Sequence, residues 1–204
     1  MGSDAGLSHL PRLPSLVEPR TERLQLRAWR PSDRDAFAAL NADAEVMRYF
    51  PGRQSRAESD GFADRIESRM AALGYGLWAL ETVDTGSFLG FTGLNPMPKD
   101  VPGSGGIEVG WRLARSAWGY GYATEAGRAA LAVAFDLAAY DEVWSLTAST
   151  NVPSRAVMER LGLRHVATAL HPALDPDSPI AEHVFYRITR AEYARQRQES
   201  RRLT

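Results

Sequence analysis

Gly119 and Gly121 stand one residue apart between an apolar run, Ile107 to Leu113, and a long alanine-rich stretch that opens at Tyr122. The pattern predicts a strand, a tight loop and a helix N-terminus in succession. Such a combination can hold a diphosphate: glycine lets the backbone approach an anion, and the first N–H groups of a helix have no partner within it. The aligned peptide dipoles add the equivalent of about half a positive charge there. The segment Trp118-Gly119-Tyr120-Gly121-Tyr122-Ala123-Thr124-Glu125 is therefore the first place to look for chemistry.

The loop alone leaves the ligand open, and a bare Gly-Tyr-Gly also suits an ordinary strand-to-helix turn. A dinucleotide fingerprint needs G-x-G-x-x-G, but the third glycine position holds Thr124 and Gly127 comes too late. A nucleoside-triphosphate loop needs G-x-x-x-x-G-K-[ST], and Lys99 is the only lysine in the chain. Nicotinamide and triphosphate chemistry are both disfavoured. The chain has no cysteine, which removes disulfides, thiolate zinc sites and a cysteine acyl-enzyme. His165 and His171 lack metal-ligand spacing and read as edge or surface residues, so no metal is expected.

The elements that must carry the loop read in order. A length of 204 residues suits one domain with a substantial core. The net charge of −1 gives no support for a nucleic-acid or anionic-membrane surface. No apolar run approaches the roughly 18 residues of a membrane span. Residues 1–20, with Pro11, Pro14 and Pro19 and no basic-then-apolar layout, read as a flexible leader of a cytoplasmic protein. The folded domain is expected over 21–199, with 200–204 as a tail. Arg23 to Trp29 alternates as a strand. Pro31-Ser32-Asp33 starts a helix whose apolar side is Phe37, Leu40, Ala44 and Met47, with a break near Ala42; Phe62, Ile66, Met70 and Leu73 mark a second, ended by Gly74. Tyr75 to Thr82 and Phe88 to Leu94 form a hairpin about Asp84-Thr85-Gly86, and Asn95 to Gly106 is a Pro/Gly-rich loop expected to be mobile. After the strand Ile107–Leu113 come the helix Tyr122 to Ala138, a strand over Glu142 to Thr150, a short helix from Asn151 to Gly162, and strands over Leu163 to Leu170 and Ala181 to Ile188. A final helix is capped by Thr189 and Glu192. The fold class is mixed α/β.

With the flanking residues included, the loop becomes specific. Glu108-Val109-Gly110-Trp111-Arg112-Leu113 followed by Trp118 to Ala126 resembles the acetyl-CoA-binding core of the GNAT superfamily of N-acetyltransferases, and within it the RimJ/RimL type. Further matching stretches are Thr21 to Arg27, Val46-Met47-Arg48-Tyr49-Phe50, Leu89 to Leu94, Asn151-x-x-Ser154 and Met158 to Leu163, so the likeness spans about Thr21 to Arg190. The family opens its loop with Gln or Arg three residues before the first glycine; this chain has Ser116 there, beside Arg115.

The resemblance implies a central, mostly antiparallel sheet flanked by helices, splayed between its fourth and fifth strands to admit the pantetheine arm. Trp111, Arg112 and Leu113 would line that arm, with backbone groups of Trp111 and Leu113 pairing to its amides. A backbone N–H near Gly110 or Trp111 would meet the oxyanion, and Gly110 suits a bulge. Trp118, Gly119, Tyr120, Gly121, Tyr122, Ala123 and Thr124 would hold the diphosphate end. Ser154 would assist the leaving thiolate, or only its own helix, and Asn151 would bind pantetheine, cap that helix, or both. Glu108 is the first candidate base and Glu182 its rival. Tyr49, Phe50, Glu108 and His183 would border the acceptor. The implied activity is direct acetyl transfer from acetyl-CoA to a primary amine, either a protein N-terminus or a small molecule, with a homodimer left open. The competing reading is an acyl-CoA-binding regulatory module that keeps the fold without turnover.

Overall fold

The structure, a computed structural model, describes residues 7–202; the first six residues of the expected leader and the last two of the expected tail lie outside the described residues. The chain runs β1 (Leu24–Arg27), α1 (Arg34–Ala42), α2 (Arg56–Leu73), β2 (Leu77–Thr82), β3 (Phe88–Pro96), β4 (Ile107–Leu113), α3 (Tyr122–Ala132), β5 (Glu142–Ala148), α4 (Val152–Arg160), β6 (Arg164–Leu170), β7 (Glu182–Thr189) and α5 (Arg190–Arg202). The strands form one seven-stranded sheet in the order β1-β2-β3-β4-β5-β7-β6. Every neighbouring pair is antiparallel except β4 with β5, which is parallel. This is the mixed α/β class that the periodicities imply, with the mostly antiparallel sheet that the resemblance implies.

Local sequence explains most boundaries. In β1, Leu24 and Leu26 are fully buried. Ser55 and Glu58 form a reciprocal cap on α2, satisfying two of the donors a helix start leaves open. Asn151 and Pro153 start α4, and Thr189 with Glu192 starts α5. The alanine-rich helix runs on from α3 through a π-helical turn, Val133–Leu137. Phe37 of α1 and Phe62 of α2 meet Phe91 of β3, with ring centroids 6.0 and 5.8 Å away, which fixes the α1–α2 layer against the sheet.

Three expectations need correction. Folded packing begins ahead of Thr21: Leu10 is buried in the main core, and the N–H groups of Leu13 and Val17 donate to the carbonyls of Leu73 and Gly74. The apolar residues among the prolines give this extended segment something to bury. The 97–106 loop is packed down, with Met97 and Val101 buried against Trp144 and Phe185. Gly103 lies so close to Trp144 that a Cβ there would fall 2.5 Å from the indole. The break expected near Ala42 is present: α1 stops there, and Asp43 turns the chain by accepting from the N–H groups of Glu45 and Val46. Finally, the β3–β4 ladder passes through Gly110, opposite Gly93, without a bulge.

Between β4 and β5 the sheet parts. Only Glu108 and Trp144 are in register there. The Ser145 hydroxyl, buried, donates to the Val109 carbonyl at 2.8 Å and bridges the two strands.

Candidate active site

The parted edge of β4 offers backbone groups to a ligand. The Ala114 N–H donates to Leu89 and the Met97 N–H to Gly106, so the even-numbered residues of β4 bond toward β3. Antiparallel alternation then turns the N–H and C=O groups of Val109, Trp111 and Leu113 toward β5. Ser145 takes the Val109 carbonyl and the Trp118 indole donates to that of Leu113 at 2.9 Å. The Trp111 groups and the Leu113 N–H are left facing the opening. A cleft of about 1420 Å³ runs from here to the glycine loop on one side and to the α1–α2 connection and Phe62 of α2 on the other. That exceeds the roughly 300–1,000 Å³ of a typical small-ligand pocket and leaves room for two reactants.

At the loop, Gly119 and Gly121 have φ of +84° and +80°, a region costly for any residue with a Cβ. A Cβ added to Gly119 would have no neighbour within 4 Å, so the loop faces open space. Gly121 begins α3 without a side-chain cap, which leaves the first N–H groups of Tyr122, Ala123 and Thr124 to an external acceptor. The one acidic residue of this turn, Glu125, is turned aside. It accepts from the Thr21 hydroxyl at 2.6 Å and from Arg23 Nε at 2.7 Å; burial pushes its carboxyl up, but these bonds together outweigh that and hold it below the usual carboxylate range. Arg23 also donates to the Tyr120 carbonyl at 3.0 Å and lies over the Tyr122 ring. Tyr120 and Tyr122 stack, Tyr120 largely exposed. Arg115 bonds Glu45 and covers Trp118.

Ser154 sits in the first turn of α4 and on the cleft wall. Asn151 donates from Nδ2 to the Ser154 oxygen at 3.1 Å and to Thr147 Oγ1 at 2.9 Å, and its Oδ1 accepts from the Ser154 N–H at 3.3 Å. Both amide hydrogens of Asn151 are thereby used. Its expected contact with a pantetheine amide would have to run through Oδ1. Because the Ser154 oxygen accepts from Asn151, its own proton is free to be donated.

Glu108, Gly110 and Arg112 follow one another on the same face of β4. Glu108 accepts from Asn95 Nδ2 at 2.9 Å, and Asn95 in turn accepts from Arg69 at 2.8 Å. Burial pushes the Glu108 carboxyl up to about 7, against the smaller downward pull of Asn95 and Arg69. Gly110 has nothing within 4 Å of where a Cβ would be, so the cleft is open above it. The Arg112 side chain does not run along the coenzyme side. It reaches the α1–α2 layer, donates to Asn41 Oδ1 at 2.6 Å, and stacks on Phe50 at 4.0 Å.

Tyr49, Phe50 and His183 line the cleft as expected, but Glu182 does not: it is exposed at the start of β7, and the next residue, His183, turns inward. Strand alternation sends the two to opposite faces. His171, expected at the surface, also lines the cleft, with its ring centroid 5.0 Å from that of His183. Burial lowers the pKa of both, so both rings are neutral near pH 7.

A family model described as Acetyltransferase (GNAT) domain matches residues 23–164, well over half of the chain. The protein belongs to the GNAT acetyltransferases. Among curated relatives, YkkB of Bacillus subtilis is 30% identical over 149 residues, covering 72% of this chain and 86% of the relative. The FsC-acetyl coenzyme A-N(2)-transacetylase of Aspergillus fumigatus is 31% identical over 188 residues, covering 88% and 79%. Among solved structures, spermidine N-acetyltransferase from Vibrio cholerae, in complex with CoA and spermine, superposes with a TM-score of 0.68 at 16% identity, covering 85% of this chain and 99% of that one.

As a GNAT acetyltransferase, the protein uses acetyl-CoA. The open, uncapped start of α3 fits the diphosphate, and the unpaired edge of β4 fits an extended amide-bearing arm. The residues missed at sequence level are Asn95, Arg69, Ser145, Asn41 and His171. Asn95 had a signal, since hairpin pairing of β3 with β4 sets it opposite Glu108.

Proposed function

We propose that this GNAT enzyme acetylates a primary amine directly, with Glu108 as the base and Ser154 as the donor to the leaving sulfur. The observation that carries this is the line Glu108–Gly110 on β4, a carboxyl with a pKa near neutrality beside an open glycine, at the mouth of the β4–β5 opening. An aliphatic ammonium needs a group that is ionised in part at pH 7 and can take its proton. Glu108 meets that need, while Glu182 points away.

When bound, acetyl-CoA supplies an activated thioester, at whose carbonyl carbon the C–N bond forms as the C–S bond breaks. Glu108 takes one proton from the acceptor ammonium and passes it to water. The nitrogen loses its second proton to water as the amide forms, and Ser154, having given its hydroxyl proton to sulfur, regains one from water, so that one proton is released in all. The Trp111 N–H, free of β3, is the backbone donor available to a developing oxyanion. Gly110 bonds toward β3 and is not.

The acceptor is a primary amine of a protein N-terminus, as the RimJ/RimL likeness suggests, or of a small molecule. The named relative is an N(2)-transacetylase and the named structural neighbour acts on spermidine. The intact loop, base and donor favour turnover over a silent regulatory module. The test is thiol release from acetyl-CoA with a panel of N-terminal peptides and small amines, with products weighed by mass spectrometry. Coenzyme binding without acetylated product from any acceptor would support the module instead.

A further inference from the structure

Among the described residues two arginines are deeply buried, and they are treated differently. Arg27 is paired on both sides, to Asp33 at 2.7 and 2.8 Å and to Glu81. Arg112 is 9% exposed, and among the described residues no carboxylate lies within ion-pair reach of it. A guanidinium has five N–H donors and stays charged near pH 7. Here only one is accepted, by Asn41 Oδ1 at 2.6 Å, and Nε is buried with no partner at all. Phe50 at 4.0 Å, with Phe91 and Phe62 at 5.5 and 5.6 Å, gives the cation aromatic faces but no counter-charge.

The arrangement is built in advance. Asn41 and Ser59 are both fully buried, and Asn41 donates to the Ser59 hydroxyl at 2.9 Å, which sets its oxygen toward Arg112. Arg112 lies on the cleft wall, two residues along β4 from the open Gly110 and on the same face. A buried, unpaired cation held rigidly beside the reaction centre lacks an anion, and the cleft is where one can arrive.

The geometry points to Arg112 as an anion subsite for the acceptor: the amine this enzyme acetylates also carries a carboxylate, which pairs with the Arg112 guanidinium while the amine lies over Gly110 near Glu108. Such an acceptor is an amino acid or an acidic peptide. A polyamine would bring positive charge to a buried positive charge. The assignment rests on the acetyltransferase reading above.

The experiment compares matched acceptors that differ only in the carboxylate: amino acids against their primary amides, dipeptides with an acidic second residue against their neutral counterparts, and spermidine. Thiol release is measured for the wild type, Arg112→Gln and Arg112→Lys. Wild-type kcat/KM is expected to be at least ~10-fold higher for the carboxylate member. Arg112→Gln should lose ~100-fold on that member and under threefold on the amide, with Arg112→Lys retaining part of the preference. Preference among free amino acids assigns a small acceptor, and preference among the dipeptides assigns a peptide. Equal losses on both members, or no preference in the wild type, overturn the subsite and leave Arg112 as packing. Calorimetric binding of the same amines separates the two readings. Arg112-dependent carboxylate binding without thiol release from any acceptor would sink the acetyl-transfer reading and keep the subsite. Turnover with no carboxylate-bearing amine bound more tightly than its amide would do the reverse.

Discussion

Asn151 holds Ser154 from two sides, donating to its hydroxyl at 3.1 Å and accepting from its backbone N–H at 3.3 Å. One residue thus caps α4 and aims the hydroxyl. Ser154→Ala should lower kcat by ~100-fold while changing acetyl-CoA affinity less than threefold. Asn151→Ala should lower kcat comparably and also cost about 1 kcal/mol of stability through the lost cap. Steady-state kinetics beside calorimetry reads both; equal losses in turnover and affinity for Ser154→Ala would reduce that serine to a binding or capping role.

Glu108 predicts opposite effects on rate and stability. Its pKa of about 7 should appear as the rising limb of kcat/KM with pH, and Glu108→Gln should abolish that limb and drop the rate by ~100-fold or more. The folded value lies above the ordinary 4.5, so the carboxyl's stabilising contribution is complete below 4.5 and is lost as pH rises through 7. Glu108→Gln should therefore be more stable than the wild type at pH 8, by on the order of 3 kcal/mol, and close to the wild type at pH 4, as read by thermal melts. A variant that gains nothing at pH 8 would show that the carboxylate is not strained when ionised.

At the glycine loop, Gly121→Glu should abolish acetyl-CoA binding, since it puts a side chain and a negative charge at the uncapped start of α3. The milder Gly121→Ala imposes a φ of +80° on a residue with a Cβ, a cost of about 1–2 kcal/mol, and should weaken binding without abolishing it. Unchanged affinity for both variants by calorimetry would refute the diphosphate site.

Arg23, just ahead of β1, neutralises Glu125 in the first turn of α3. Arg23→Ala should weaken acetyl-CoA about three- to tenfold by leaving a free carboxylate near the phosphates, more so at low salt. Removing Glu125 as well should restore most of the loss. If the double variant binds no better than Arg23→Ala, Arg23 acts on the loop's shape through the Tyr120 carbonyl instead.

What was legible in the sequence was what short stretches decide. The strand-loop-helix at Gly119–Gly121, the caps at Asn151 and Thr189, and the hairpin strands follow from periodicity and from residues a few positions apart. The one parallel pair follows from the strand-helix-strand order around the glycine loop, while the parting of those two strands needed the family resemblance. What escaped depended on partners far along the chain. Arg112 reads as an edge residue beside a coenzyme until Asn41 and Phe50 are brought to it by the α1–α2 layer. Glu182 and His183 alternate on β7, and nothing local says which parity faces the cleft. The segment before Thr21 resembles a tail because its hydrogen bonds go to Leu73 and Gly74, which no local pattern announces.

The Ser145–Val109 bridge bears on what the coenzyme must do on arrival. A side-chain hydroxyl takes a carbonyl that a backbone N–H of β5 would need for the strands to zip together, so the wedge between β4 and β5 is part of the resting fold. An incoming chain then enters a gap that is open before it arrives. The sheet's amide-exchange protection beside the wedge should therefore rise on binding with no change in strand register.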